Sequence, residues 1–136
     1  MKRPILIGYQ ILIGLSDTAT GALLIIAPEF TLRLMHLQAA ADALPYLSFI
    51  GAFVLAVGLS CLYGAFVMVC DWCELKLQVV WLITALMRAS VAIVVVSQIL
   101  AHTLQVGWIT VALSDGACVL IQAVGLRRGW LANAAK

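Results

Sequence analysis

Three ionisable side chains, Asp17, Arg88 and Asp115, stand inside otherwise apolar runs of the 136-residue chain. An arginine guanidinium stays protonated and presents five donors in a rigid fork. It can take one carboxylate bidentately and still reach a second. One Arg with two Asp leaves one surplus negative charge. In a medium of low dielectric that charge is cheaper to neutralise than to bury, so one carboxyl is expected to keep its proton. Such a carboxyl is the raw material of a proton relay, or an anchor for a cationic or hydroxyl-bearing ligand. The same triad can also serve only to fix helix register, the best-attested use of buried ionic groups.

Helical spacing gives each charge polar or small companions. The stripe through Asp17 is Gln10, Gly14, Asp17 and Gly21, and the stripe through Asp115 is Trp108, Ala112, Asp115, Cys118 and Gln122. Around Arg88 lie Trp81, Thr84, Ala92 and Val95, and a further apolar run offers Ser48, Gly51, Leu55, Gly58 and Ala65. Small residues and hydroxyls let helices approach closely and hydrogen-bond. Gln10, Thr84 and Gln122 therefore join the three charges as candidate ligand- or ion-binding residues.

Other chemistry is thinner. Cys70 and Cys73 form CDWC, a candidate thiol redox pair. Asp71 and Glu74 beside it, an expected cytoplasmic side and the lack of a thioredoxin-like setting count against that use. A zinc site needs four ligands, and no histidine is near this pair. Cys61 and Cys118 read as packing residues, and His36 and His102 as solvated. The chain has no nucleophile–base arrangement, no phosphate loop and no HExxH, and no catalytic residue, metal or cofactor is expected.

The elements that position these residues follow from composition. Hydrophobic residues make up 65% of the chain and charged residues 10%, against roughly 45–50% and about 25% in soluble domains. Mean hydropathy is +1.13. A domain this small cannot hide so much apolar surface from water, which excludes a soluble enzyme or a disordered chain. The few basic residues make no nucleic-acid-binding face. A membrane-spanning helix needs about 20 mostly apolar residues, and four stretches qualify: 5–27, 45–69, 77–100 and 104–126. Runs such as Ala22 to Ile26 and Ala92 to Val96 do not alternate in polarity, which excludes a β-barrel. The fold class is all-α, an integral membrane four-helix bundle forming one transmembrane domain, 1–136.

Asp17 lies 13 residues beyond Pro4, Arg88 lies 11 beyond Leu77 and Asp115 lies 11 beyond Leu104. At about 1.5 Å per residue these offsets put all three near one depth. A lone charge at a helix centre costs about 2.5–3.5 kcal/mol, so the three are expected to face inward and meet.

Lys2, Arg3, Lys76, Arg127, Arg128 and Lys136 fall on one side of the spans and only Arg33 on the other. That asymmetry places both termini in the cytoplasm. The basic, apolar front mimics a secretory signal, but the run is long, holds Asp17 and starts at Met1, so an uncleaved first span is expected. Between the first two spans, Phe30, Leu32, Leu34, Met35 and Leu37 interleave with Glu29, Arg33, His36 and Gln38. That pattern reads as a short amphipathic helix in the outer interface, or else as an extension of the first span. LSDTA (Leu15 to Ala19) and LSDGA (Leu113 to Ala117) are too short a match to set an inverted repeat apart from coincidence.

The sequences IIAPEFTLRLMHL (Ile25 to Leu37), TALMRASV (Thr84 to Val91) and SDG followed by Gln122 give a plan that resembles the DoxX-like group of small bacterial four-helix membrane proteins. The resemblance implies a multi-pass inner-membrane protein, and some members are similar to subunits of membrane oxidoreductase assemblies. No residues for a quinone or haem stand out. Three functions remain: a binding or accessory membrane protein, a structural or assembly subunit of a membrane complex, and a thiol redox protein. Expected partners are membrane lipid, a small polar or amphipathic ligand, and a second copy or a larger complex. Nucleic acid is not expected.

Overall fold

A computed structural model describes residues 3–134. Lys2 and Lys136, counted above for orientation, lie outside the described residues. Every regular element among those described is helical. The long helices are α1 (Arg3–Ile26), α3 (Leu44–Cys70), α4 (Glu74–Leu100) and α5 (Ile109–Arg127); α2 (Pro28–Leu34) and α6 (Trp130–Ala134) are short. The four spans are long and apolar enough to cross a membrane. Leu12, Leu15, Phe49, Leu86, Ile93, Leu113 and Leu120 are all more than half exposed around the outside. Such a surface is stable against acyl chains, not against water.

Local chemistry sets the helix ends. The residue before a proline is pushed away from helical geometry, and Ala27 accordingly sits at φ −144°, ψ 65°. The first span therefore stops at Ile26, and Pro28 opens a separate helix, where its missing N–H is no loss. Two histidines close helices in the left-handed region usually given to glycine: His36 at φ 55° after α2 and His102 at φ 57° after α4.

The turn at His102 accounts for one difference from the sequence reading, which starts the fourth span near Leu104. The N–H groups of Thr103 and Leu104 both return to the Gln98 carbonyl, at 3.0 and 3.2 Å. The chain then makes one 3-10 turn, Val106–Trp108, before α5 begins. A second difference is α6, which the sequence reading leaves out. Gly129 at φ 59° turns the chain back, and Leu131 is buried with Leu6, Val67, Met68, Leu77 and Trp81. This apolar cluster fills the end of the bundle where α1 begins and α5 ends. At the opposite end, Leu32, Leu37 and Leu47 form a smaller cluster with Trp108 against it.

Two helix pairs make the bundle, α1 with α3 and α4 with α5. The first pair is in near backbone contact. A Cβ at Gly21 would stand 2.4 Å from the Leu55 nitrogen, and one at Gly58 would stand 2.4 Å from the Thr18 nitrogen. Only glycine allows that approach. Where Gly64 faces Val80, α3 also meets α4.

Candidate functional site

On α1 the buried stripe is Leu6, Gln10, Gly14, Gly21 and Leu24, with Asp17 on the same face. Because Gly58 lets the backbone at Asp17 and Thr18 settle against α3, the Asp17 side chain projects toward the other pair. On α4 the buried residues are Leu77, Trp81, Thr84 and Arg88, spaced three and four apart. On α5, Ala112, Cys118, Gln122 and Gly125 are buried, with Asp115 in the same row. Three helices therefore aim polar side chains at one axis.

The charges meet there. Arg88 Nη1 donates to Asp115 Oδ1 at 2.6 Å, and Arg88 Nη2 donates to Asp17 Oδ2. Each terminal nitrogen serves one carboxylate, rather than both serving the same one. The reason is placement: the acids approach from α1 and α5, on different sides of the guanidinium. Its side chain is 6% exposed, against 19% for Asp17 and 14% for Asp115. The Arg88 Nε has no hydrogen-bond partner among the described residues. Cys61 on α3 and Cys118 on α5 are buried.

Toward the end where α1 begins and α5 ends lies a fully buried polar layer. Trp81 Nε1 donates to Gln10 Oε1 at 3.1 Å, and Gln122 Nε2 donates to Thr84 Oγ1 at 3.0 Å. The Trp81 ring meets Tyr9 edge-on, with centroids 5.9 Å apart. Gly125 leaves room for that ring and Gly64 for the Gln10 amide. These bonds tie α4 to α1 and to α5. Gln10 Nε2, Gln122 Oε1 and the Tyr9 hydroxyl have no hydrogen-bond partner among the described residues. A buried polar group left so costs about 1–3 kcal/mol, so this layer has capacity for further hydrogen bonds.

The structure thus gathers Asp17, Arg88 and Asp115 in one network and Gln10, Thr84 and Gln122 in the layer beside it. Tyr9 is the residue the sequence reading missed. A tyrosine deep in an apolar span needs somewhere to put its hydroxyl, and that need was the available signal.

Cys70 and Cys73 stand apart from this site. Both are free; Cys70 ends α3 and is exposed, and Cys73 precedes α4 and is half-buried. Between them, Trp72 lies under the Arg3 guanidinium, 5.1 Å from its centroid, and Arg3 donates to the Met68 carbonyl at 2.7 Å. Those contacts hold the start of α1 against the turn between α3 and α4.

No protein-family model, curated protein or solved structure matches the chain.

Proposed function

We propose that this chain is a small binding or accessory protein of the bacterial inner membrane, whose site is the Asp17–Arg88–Asp115 network. The observation that carries the reading is the charge count at the meeting point. One guanidinium is shared between two carboxylates from different helices, so with both carboxyls ionised the network holds one negative charge more than it can neutralise. Low dielectric makes that surplus a strong demand for a proton or for a cationic or hydrogen-bond-donating group. Beside the network lie the buried Gln10, Thr84 and Gln122 side chains, and beyond them an apolar cluster, a combination that suits a small amphipathic molecule with such a head group.

The distribution of Lys and Arg supports cytoplasmic termini. A position for α2 in the outer interface is supported by its composition: it buries Thr31 and Leu32 and exposes Glu29, Phe30, Arg33 and Leu34. The plan still resembles the DoxX-like group, on the residues quoted above. Paired amphiphiles of equal tail length test the function. Octylamine is expected to raise the unfolding midpoint of the protein in lipid nanodiscs, and octanoate is not. The difference should vanish in Asp17→Asn/Asp115→Asn. Equal responses to the two probes, or an unchanged response in that variant, would defeat the proposal.

A second reading, a structural pin in a larger membrane assembly, is favoured by one feature. Both terminal nitrogens of Arg88 are already engaged within the chain. On that reading Asp17→Asn lowers stability and changes the response to neither amphiphile.

A further inference from the structure

Arg33 runs against the charge bias of the chain. Among the described residues outside the spans, Arg3, Lys76, Arg127 and Arg128 lie at one end of the bundle and Arg33 alone at the other. Local structure holds it in place. The turn at His36 returns the His36 N–H to the Arg33 carbonyl at 3.1 Å and the Leu37 N–H to the Leu32 carbonyl at 2.8 Å, the two bonds of a Schellman closure. Leu32 and Leu37 are thereby each left only 3% exposed. Glu29 and Arg33, one turn apart on α2, stay in contact with solvent or lipid head groups. Glu29, Arg33 and Gln38, with Leu32, Leu37 and Leu44, line an open pocket of about 290 Å3. That is the small end of the range for ligand sites, with room for one compact head group. The two charges satisfy each other poorly. Arg33 Nη2 and Glu29 Oε2 stand 3.6 Å apart, beyond hydrogen-bonding distance, and their side chains are 76% and 65% exposed. Such an exposed pair is weak, so a ligand that brings a hydrogen-bonded counter-charge to each of them displaces it easily.

We propose that this pocket seats the zwitterionic head group of a lipid, one that carries a phosphate and a primary ammonium. The phosphate goes to Arg33, whose planar fork matches it, and the ammonium donates to the Glu29 carboxylate. Phe30 and Leu34, on the same short helix, are 54% and 63% exposed. They offer the acyl chains an apolar surface beside the pocket, and for that reason the source is a lipid rather than a free phosphate ester. A purely anionic head group would meet the Glu29 carboxylate, and a quaternary ammonium has no N–H to give it. The site therefore prefers a phosphoethanolamine head to phosphoglycerol or phosphocholine. The inference uses the interfacial placement of α2 given under the proposed function, and nothing of the charge network.

Lipid titration of the full chain in detergent micelles tests this. The probes are phosphatidylethanolamine, phosphatidylglycerol and phosphatidylcholine with the same short acyl chains, and O-phosphoethanolamine, which has the head group without tails. A ligand that binds only the folded protein raises its unfolding midpoint. Phosphatidylethanolamine should do so at concentrations at least about tenfold lower than the other two lipids, the effect of one charge-assisted hydrogen bond. Arg33→Gln should weaken its binding by about tenfold or more on the same grounds. Glu29→Gln should remove its advantage over phosphatidylglycerol. Both side chains are exposed, so neither substitution disturbs packing. Asp17→Asn/Asp115→Asn should keep the preference. Equal responses to the three lipids, or a preference that survives both Arg33→Gln and Glu29→Gln, overturns the proposal. Loss of the preference in Asp17→Asn/Asp115→Asn with retention in Arg33→Gln also overturns it, and places the ammonium at the charge network of the proposed function instead. A response to O-phosphoethanolamine at the concentration that suffices for the lipid overturns the lipid as the source and leaves the head-group pocket standing.

Discussion

Replacing Arg88 with methionine should destabilise the bundle more than any single change to its acidic partners. The side chains concerned are 6%, 19% and 14% exposed, which puts them in the buried regime rather than among surface ion pairs. Removing one member of a buried ion pair costs about 3–5 kcal/mol, because the partner is left charged and unpaired. Arg88→Met leaves two carboxylates facing each other and so belongs at the upper end of that range. Asp17→Asn is a different perturbation. It keeps the Arg88–Asp115 pair, removes the surplus charge, and leaves an amide oxygen that can still accept, so its cost should stay below about 1.5 kcal/mol. The gap of at least about 2 kcal/mol is roughly thirtyfold in the unfolding equilibrium. Reversible unfolding in mixed micelles, followed by far-ultraviolet circular dichroism, measures it. The triple variant Arg88→Met/Asp17→Asn/Asp115→Asn, which carries no charge at this depth, should recover more than half of the loss. The reasoning fails if Arg88→Met costs no more than Asp17→Asn, or if the triple variant is as unstable as Arg88→Met.

Other consequences are more local. Gly58→Ala should disrupt the α1–α3 pair, since its Cβ would stand 2.4 Å from the Thr18 backbone nitrogen; Gly116→Ala, where a Cβ meets nothing within 4 Å, should be neutral or stabilise by up to about 1 kcal/mol. Thermal unfolding of the two variants side by side checks the contrast. Trp81→Phe removes the donor to Gln10 and should cost about 1–3 kcal/mol beyond the lost ring volume, because the amide is fully buried; Trp81→Phe/Gln10→Leu should recover part of that cost in the same unfolding assay. His102→Gly should raise stability by about 0.5–1 kcal/mol by relieving a left-handed backbone at the end of α4, read as a higher unfolding midpoint.

Much of this architecture is legible in residue order because the membrane makes strict demands. Long apolar runs have one solution each, and a charge inside one must face a partner. Those two facts alone bring Asp17, Arg88 and Asp115 together. The same facts say nothing about which helices pair. Gly14 and Gly21 stand on one stripe and Gly51 and Gly58 on another, but that they lie against each other in near backbone contact depends on the three-dimensional register. The hydrogen bond from Trp81 to Gln10 is equally hidden, since it joins residues 71 apart and either side chain could have found another partner. The delayed start of α5 and the return of α6 depend on single residues in the left-handed region, His102 and Gly129. Histidine in that role leaves no mark in a hydropathy pattern. The drop in burial along α4 beyond Arg88 is the least legible feature, because Ala92, Val95 and Ile99 repeat the spacing of the buried half without its cover.

The convergence of the three charges is open to direct measurement in a lipid bilayer. Solid-state NMR on protein carrying 15N-guanidinium arginine and 13C-carboxyl aspartate reads the dipolar coupling between them. Two aspartate carboxyls should couple to arginine nitrogens at hydrogen-bonding separation, one lost in Asp17→Asn, the other in Asp115→Asn, and both in Arg88→Met. Absence of either coupling in the unmodified protein would mean that the guanidinium does not bridge α1 and α5, and the site described here would not exist.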